Sequence, residues 1–199
     1  SMEGAGNAVW EVPNADWQWV MGVNFDGVLY GLQTFVPHML EHGDQGHIVN
    51  TASLAGLMPT GGNYGVSKHA VFALSESLQR DLEARGAKVG SSVLCPGFVK
   101  TNIYDAERNR PEELSDQSDD GSVSQGAEMT RGLLDQGKAP AEIAEIVFDS
   151  IREDRFYILP HPAWDDLVEA RVHKVLARGP VAVMSPEAIQ KKREAGEQL

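Results

Sequence analysis

The sequence predicts an α/β fold built on parallel strands, and two observations predict it. The β-branched apolar run HIVNTAS, His47 to Ser53, is followed by an amphipathic helical segment and a second apolar run, Lys88 to Leu94. Strand, helix and strand within about 50 residues form a unit whose crossover is right-handed and whose strands are parallel. Composition agrees: 199 residues with 42% hydrophobic and 23% charged side chains suffice for one buried core and exclude wholesale disorder.

The elements follow in order. Residues 1–13 read as an N-terminal remnant, with Ser1-Met2 resembling the scar of a cleaved tag. From Asn14 to about Val36, the residues Trp17, Val20, Met21, Val28, Leu32 and Phe35 recur at three- and four-residue intervals, which predicts one long helix that Pro37 ends or kinks. A polar linker from His42 to Gly46 leads into the first strand, and the Gly- and Pro-rich loop LAGLMPTGG leaves it. Asn63 to Arg85 is a second helix with Val71, Leu74, Leu78 and Leu82 on one stripe and Gly86 as its C-terminal stop. Lys88 to Leu94 is then a strand closed by Pro96-Gly97. Residues 105–128 hold eight acids and two arginines and the low-complexity patch SDQSDDGSVSQG, so they are read as a substrate lid or a solvated loop. Pro140 opens a helix, FYILP is a third short strand, and 163–177 with 186–195 are terminal helices; residues 161–199 form a C-terminal helical extension to a unit spanning 14–160.

Charge and composition narrow the function. A net charge of −12 repels phosphate backbones and anionic bilayers, so neither nucleic acid nor membrane is expected as a partner. No apolar run approaches the ~20 residues of a bilayer span and no signal-peptide pattern opens the chain, from which a cytoplasmic location is expected. Cys95, the single cysteine, is expected to be a small buried apolar residue. HMLEH, His38 to His42, matches a short zinc signature, but its place at a polar helix end after Pro37 argues for an exposed terminus and no metal.

The chemistry-bearing residues cluster near the ends of the strands. Tyr64 and Lys68 stand four residues apart, which stacks them on one helix face, and an ammonium beside a phenol favours the phenolate. That spacing alone is common in helices, where the ring packs and the lysine reaches for solvent. Ser53 ends the first strand and Pro96-Gly97 the next, so these groups converge at the carboxyl ends of adjacent parallel strands, where open α/β sheets bind ligands. Asn24 interrupts the apolar stripe of the first helix.

Taken together, WVMGVNFDGVLYG, HIVNTASLAG, YGVSKHAVFALSE and CPGFVKT resemble, in order, four motifs of the short-chain dehydrogenase/reductase family, from about Val9 to His161. The resemblance implies a Rossmann-like doubly wound parallel sheet and NAD or NADP as cofactor, with hydride passing between the nicotinamide and an alcohol or ketone. It implies a tetrad of Asn24, Ser53, Tyr64 and Lys68, with Tyr64 as general acid/base, Ser53 on the substrate oxygen, Lys68 on the ribose and Asn24 anchoring a relay water. It also implies cofactor contacts from Tyr64, Lys68, Pro96, Gly97, Val99 and Thr101. Met58, Phe98 and Tyr104 are expected to line an apolar substrate pocket.

Two features depart from the family. The Ser53-to-Tyr64 segment is about two residues short, and the glycine-rich T-G-x-x-x-G-x-G turn is missing, so the chain reads as the second half of the fold with the N-terminal βαβαβ half absent. The alternative function is therefore a redox-inactive remnant that binds or oligomerises. On this reading the His47–Ser53 strand has a bare edge, met by oligomerisation, by residues 8–12 serving as a substitute strand, or by the rest of a longer polypeptide. A homodimer or homotetramer through helices 14–36 and 63–85 is expected.

Overall fold

A computed structural model describes residues 8–59, 62–114, 131–181, 189, 191–192 and 194–197. Three parallel strands form its sheet in the order β1 (Gly46–Thr51), β2 (Val89–Leu94), β3 (Tyr157–Ile158). Gly46 pairs with Val89 through to Thr51 with Leu94, and Val93 and Leu94 pair with Tyr157 and Ile158. Because β3 is only two residues long, the Ser91 N–H on that side of β2 finds no strand; it donates to Gln79 Oε1 at 3.1 Å instead.

Successive residues of β2 face opposite layers, as the strand period requires. Val93 packs with Ala52, Val71 and Cys95 beneath the helices on one face, whereas Leu94 packs with Ile143 and Ile158 beneath the helix on the other. The first face carries α1 (Asn14–Met21), α2 (Gly27–His42) and α3 (Gly62–Ala84); the second carries α4 (Pro140–Arg152), and α5 (Asp165–Leu176) follows β3. Gly43 and Gly86, with φ of 68° and 60°, turn the chain out of α2 and α3 in the left-handed region that glycine occupies without steric cost.

Four expectations are corrected. The single helix over 14–36 is two α-helices joined by a π-helical turn, Gly22–Asp26, with one residue more than an α-helix holds at that point. Pro37 does not end the helix, because α2 continues through it to His42. Residues 8–12 form a turn rather than a substitute strand, with Glu11 N–H donating to Ala8 O at 2.8 Å. Finally, residues 105–114 are not a loose loop: 3-10 turns span Ile103–Asn109 and Glu112–Leu114, tied to α1 by Arg110. The rest of the expected lid, 115–128, and most of the helix expected over 186–195 lie outside the described residues.

Candidate active site

Ser53 follows β1 in extended backbone and caps the 3-10 turn Leu54–Gly56, accepting the Ala55 N–H at 3.1 Å. Its hydroxyl reaches the Pro96 carbonyl at 3.4 Å, and Leu54 N–H donates to that same carbonyl at 2.8 Å, so the loops after β1 and β2 are laced together. The sheet thus delivers Ser53 and the Pro96-Gly97 turn side by side at its carboxyl end, as parallel strands must.

Helix α3 supplies Tyr64 and Lys68. Gly62, with φ of 72°, starts the helix in a conformation that an L side chain rarely adopts. One turn apart, the Lys68 ammonium stands 5.7 Å from the Tyr64 ring centroid and donates to the Thr51 carbonyl at 3.2 Å. Asn24 occupies the π-helical turn, and Asn24 Nδ2 donates to Ser67 Oγ at 3.0 Å. Ser67 in turn donates to the Tyr64 carbonyl at 2.7 Å. Asn24, Ser53 and the Tyr64–Lys68 pair are therefore brought together from three separate segments. An α-helix from 14 to 36 would leave Asn24 rotated about 100° per residue out of place, which is what the additional residue of the π-turn adjusts.

Burial governs the ionisation of these groups. It raises the Tyr64 phenol above its ordinary value, with the Ser53 hydrogen bond pulling it back down. It lowers the Lys68 ammonium, which the nearby Cys95 thiol offsets in part. The expectation that Lys68 depresses the Tyr64 phenol is not realised here: the ammonium lies over the ring face and is engaged by Thr51. Cys95 is buried as expected, and burial pushes its thiol up to about 12.

Among the expected cofactor residues, Pro96, Gly97 and Val99 lie in one tight turn, and Val99 forms a parallel bridge with Lys138. Thr101 is exposed just beyond it. The three expected substrate-pocket residues are dispersed. Met58 is 2% exposed in the core, Phe98 packs against Trp164 at 6.2 Å, and the Tyr104 ring stacks under the Arg131 guanidinium at 4.5 Å. His161, which the sequence reading passed over, touches this turn; its partners are 64 and 63 positions away and no spacing rule reaches them. In the HMLEH segment, His38 and Glu41 meet at 4.0 Å in the open, and among the described residues no three metal-ligating side chains gather. Among them, too, no helix is long and apolar enough to cross a membrane.

A cleft of about 500 Å³ runs between α2 and β1, walled by Val28, Leu32, Phe35 and Val49, and ends at Asn24, Thr51 and Lys68. The donor set at that end suits the hydroxyls of a sugar: an ammonium with one of its three N–H bonds on Thr51, and the Asn24 amide.

A polar constellation at the carboxyl ends of parallel strands, flanked by helices on both faces, is the arrangement of a Rossmann-like α/β protein. The match to a family model settles the membership: residues 3–112 fit the short chain dehydrogenase family, and the chain belongs to it. It is 34% identical over 177 residues to the CLA biosynthesis dehydrogenase/reductase of Lactiplantibacillus plantarum, covering 86% of this chain and 62% of that protein. It is 31% identical to the C alpha-dehydrogenase of a Sphingobium species, covering 90% of this chain and 59% of the other. A crystal structure of a short chain dehydrogenase/reductase from Burkholderia phymatum in complex with NAD superposes with a TM-score of 0.84 at 41% identity, over 92% of this chain and 66% of that one. The chain spans about three-fifths of the length of the curated relatives.

Proposed function

We propose that this chain carries the acid/base side of an NAD(P)-dependent oxidoreductase site acting on an alcohol or ketone. One observation carries the reading: the Asn24–Ser67–Tyr64 chain of hydrogen bonds locks the π-turn to the helix that presents Tyr64 and Lys68. The residues present fit the nicotinamide-ribose end of a dinucleotide, where Lys68 and Tyr64 would meet the ribose hydroxyls and Pro96, Gly97, Val99 and Thr101 would flank the ring. They include no glycine-rich turn for the diphosphate. When bound, the nicotinamide supplies or takes the hydride.

The protein's own part is the proton. In the reducing direction the Tyr64 O–H gives its proton to the carbonyl oxygen as negative charge develops there, and the Ser53 hydroxyl, rotating its single O–H from the Pro96 carbonyl, donates a hydrogen bond to the same oxygen. The phenolate left behind is the charged form that burial disfavours, so the Lys68 ammonium, one helical turn away, would stabilise it, and Asn24 would hold a water for the relay. In the oxidising direction the same atoms run in reverse. The Val28, Leu32, Phe35 and Val49 side chains of the cleft support a substrate with an apolar part.

The missing glycine-rich turn favours a second reading, a redox-inactive binding or oligomerisation module. Fluorescence titration with NADH and NADPH separates the two. Saturable binding that Lys68→Met weakens supports the enzyme, and no binding by either nucleotide supports the module. For any turnover observed, Tyr64→Phe is expected to lower kcat by about 10²-fold or more while the ring keeps its packing.

A further inference from the structure

The Pro96–Val99 turn is gripped from two sides. Phe98 O accepts the Lys138 N–H at 3.1 Å, and Lys100 N–H donates to Lys138 O at 2.9 Å, which presses the turn against Gly137; a Cβ there would lie 2.4 Å from Phe98 O. On the other side stands His161, 3% exposed. Its Nδ1 accepts the Gly97 N–H at 3.0 Å, and its Nε2 lies 3.0 Å from Phe98 O. A Cβ on Gly97 would meet the imidazole at 3.2 Å and the Trp164 indole nitrogen at 3.1 Å, so ring and turn are in van der Waals contact.

These bonds allow one form of the ring. Nδ1 faces an N–H and must present its lone pair; Nε2 faces a carbonyl and must carry the proton. An imidazolium would set an N–H at Nδ1 against the Gly97 N–H, donor to donor, and the clamp would open. The charged groups acting on the ring oppose each other, Lys138 disfavouring the cation and Glu142 favouring it, and burial favours the neutral ring.

We propose that neutral His161 is a positioning residue that fixes the Gly97-Phe98 backbone, and through Pro96 the Ser53 hydroxyl, for the reaction; this rests on the oxidoreductase reading above. The line of force is short. Gly97 adjoins Pro96, whose carbonyl holds both Leu54 N–H and Ser53 Oγ. A turn released from His161 moves the group that must touch the substrate oxygen, and about 1 Å of such displacement costs on the order of 100-fold in rate.

The experiment uses the 199-residue chain and the variants His161→Leu and His161→Gln, glutamine offering one acceptor and one donor at comparable spacing. Nitrogen chemical shifts of His161 and the exchange rate of the Gly97 amide are read alongside kcat, KM and the pH profile. The expected result is an Nε2–H tautomer in the parent chain, Gly97 exchange at least about tenfold faster in His161→Leu, and restoration by His161→Gln. In turnover, His161→Leu is expected to lower kcat with little change in KM, and the acid-side fall in kcat expected of the parent, set below the ordinary histidine value by burial of the ring, should be absent from His161→Gln. An Nδ1–H tautomer, or His161→Leu with parental Gly97 exchange and parental kcat, overturns the proposal. If His161→Leu does not fold, the parental tautomer and the His161→Gln pH profile decide it. A parent chain that neither binds dinucleotide nor turns over overturns the oxidoreductase reading, and with it the catalytic purpose assigned to His161, while the tautomer still reports whether the clamp exists.

Discussion

His47 shows how a single ring is tied into the sheet. Ser92 Oγ donates to Arg155 O at 2.8 Å, so its lone pair is free to accept from His47 Nε2 at 2.7 Å; Asp154 faces the ring nearby, and Gly90 leaves room for both. Burial lowers the pKa of His47 and of His161 below 6.5. The folded state thus holds both rings neutral, whereas the unfolded chain takes up protons near 6.5. Stability from these two groups is complete above that value and drains away as pH falls toward the folded values. The urea midpoint is expected to drop between pH 7.5 and 5.5, and His161→Gln should flatten the slope. Cys95 gives a second residue-level expectation: with its thiol near 12, it should resist alkylation at pH 8 until the chain unfolds. Tyr64 and Lys68 were legible in the sequence because their relation is local, one helical turn. His161 was not, because its partners are brought to it only by the sheet.

At the scale of elements, the buried pair of Arg110 and Asp16 is the joint between α1 and the segment following β2. Their atoms approach to 2.5 Å, the guanidinium side chain is 5% exposed, and it also lies 5.0 Å from the Trp19 ring centroid. Asp16→Ala removes the shortest carboxylate from a desolvated cation and is expected to cost about 3 kcal/mol in urea unfolding. Hydrogen exchange over 103–110 should rise in step. Strand and helix positions were readable locally, since β1 and β2 are short apolar runs and α3 carries a 3.6-residue stripe. The anchored 103–114 segment was not, because its acid-rich composition resembles that of a solvated loop and the anchoring contact spans 94 positions. The π-turn was hidden for a different reason: Asn24 marks a break in the stripe, yet an interrupted stripe does not say that a residue has been added to the helix.

For the whole molecule, the open side of β1 matters most. Its backbone alternation turns the polar groups of His47, Val49 and Thr51 away from β2, and among the described residues no strand meets them. Phe35 on α2 is 64% exposed beside this edge. The 199-residue chain is therefore expected to self-associate as concentration rises, by sedimentation velocity or light scattering. Phe35→Glu should weaken that association while shifting the unfolding midpoint little, because the ring is mostly in solvent. The parallel order was inferable from the strand–helix–strand rhythm, and the bare edge of β1 was expected from the family resemblance, because no local pattern by itself says which neighbour a strand lacks.

The all-parallel pairing also sets a kinetic condition. Gly46 meets Val89 and Val93 meets Tyr157, so every strand contact closes a loop of at least about forty residues before any ladder bond forms. Among the described residues no hairpin exists to nucleate the sheet. The earliest productive event must be a helix docking onto a strand still unpaired, such as α3 onto β1, and refolding should proceed in milliseconds to seconds rather than microseconds. Substitutions at the α3–β1 contact, such as Ser75→Ala, which breaks the buried Asn50 Nδ2 to Ser75 Oγ bond of 3.0 Å, should then slow folding more than they speed unfolding.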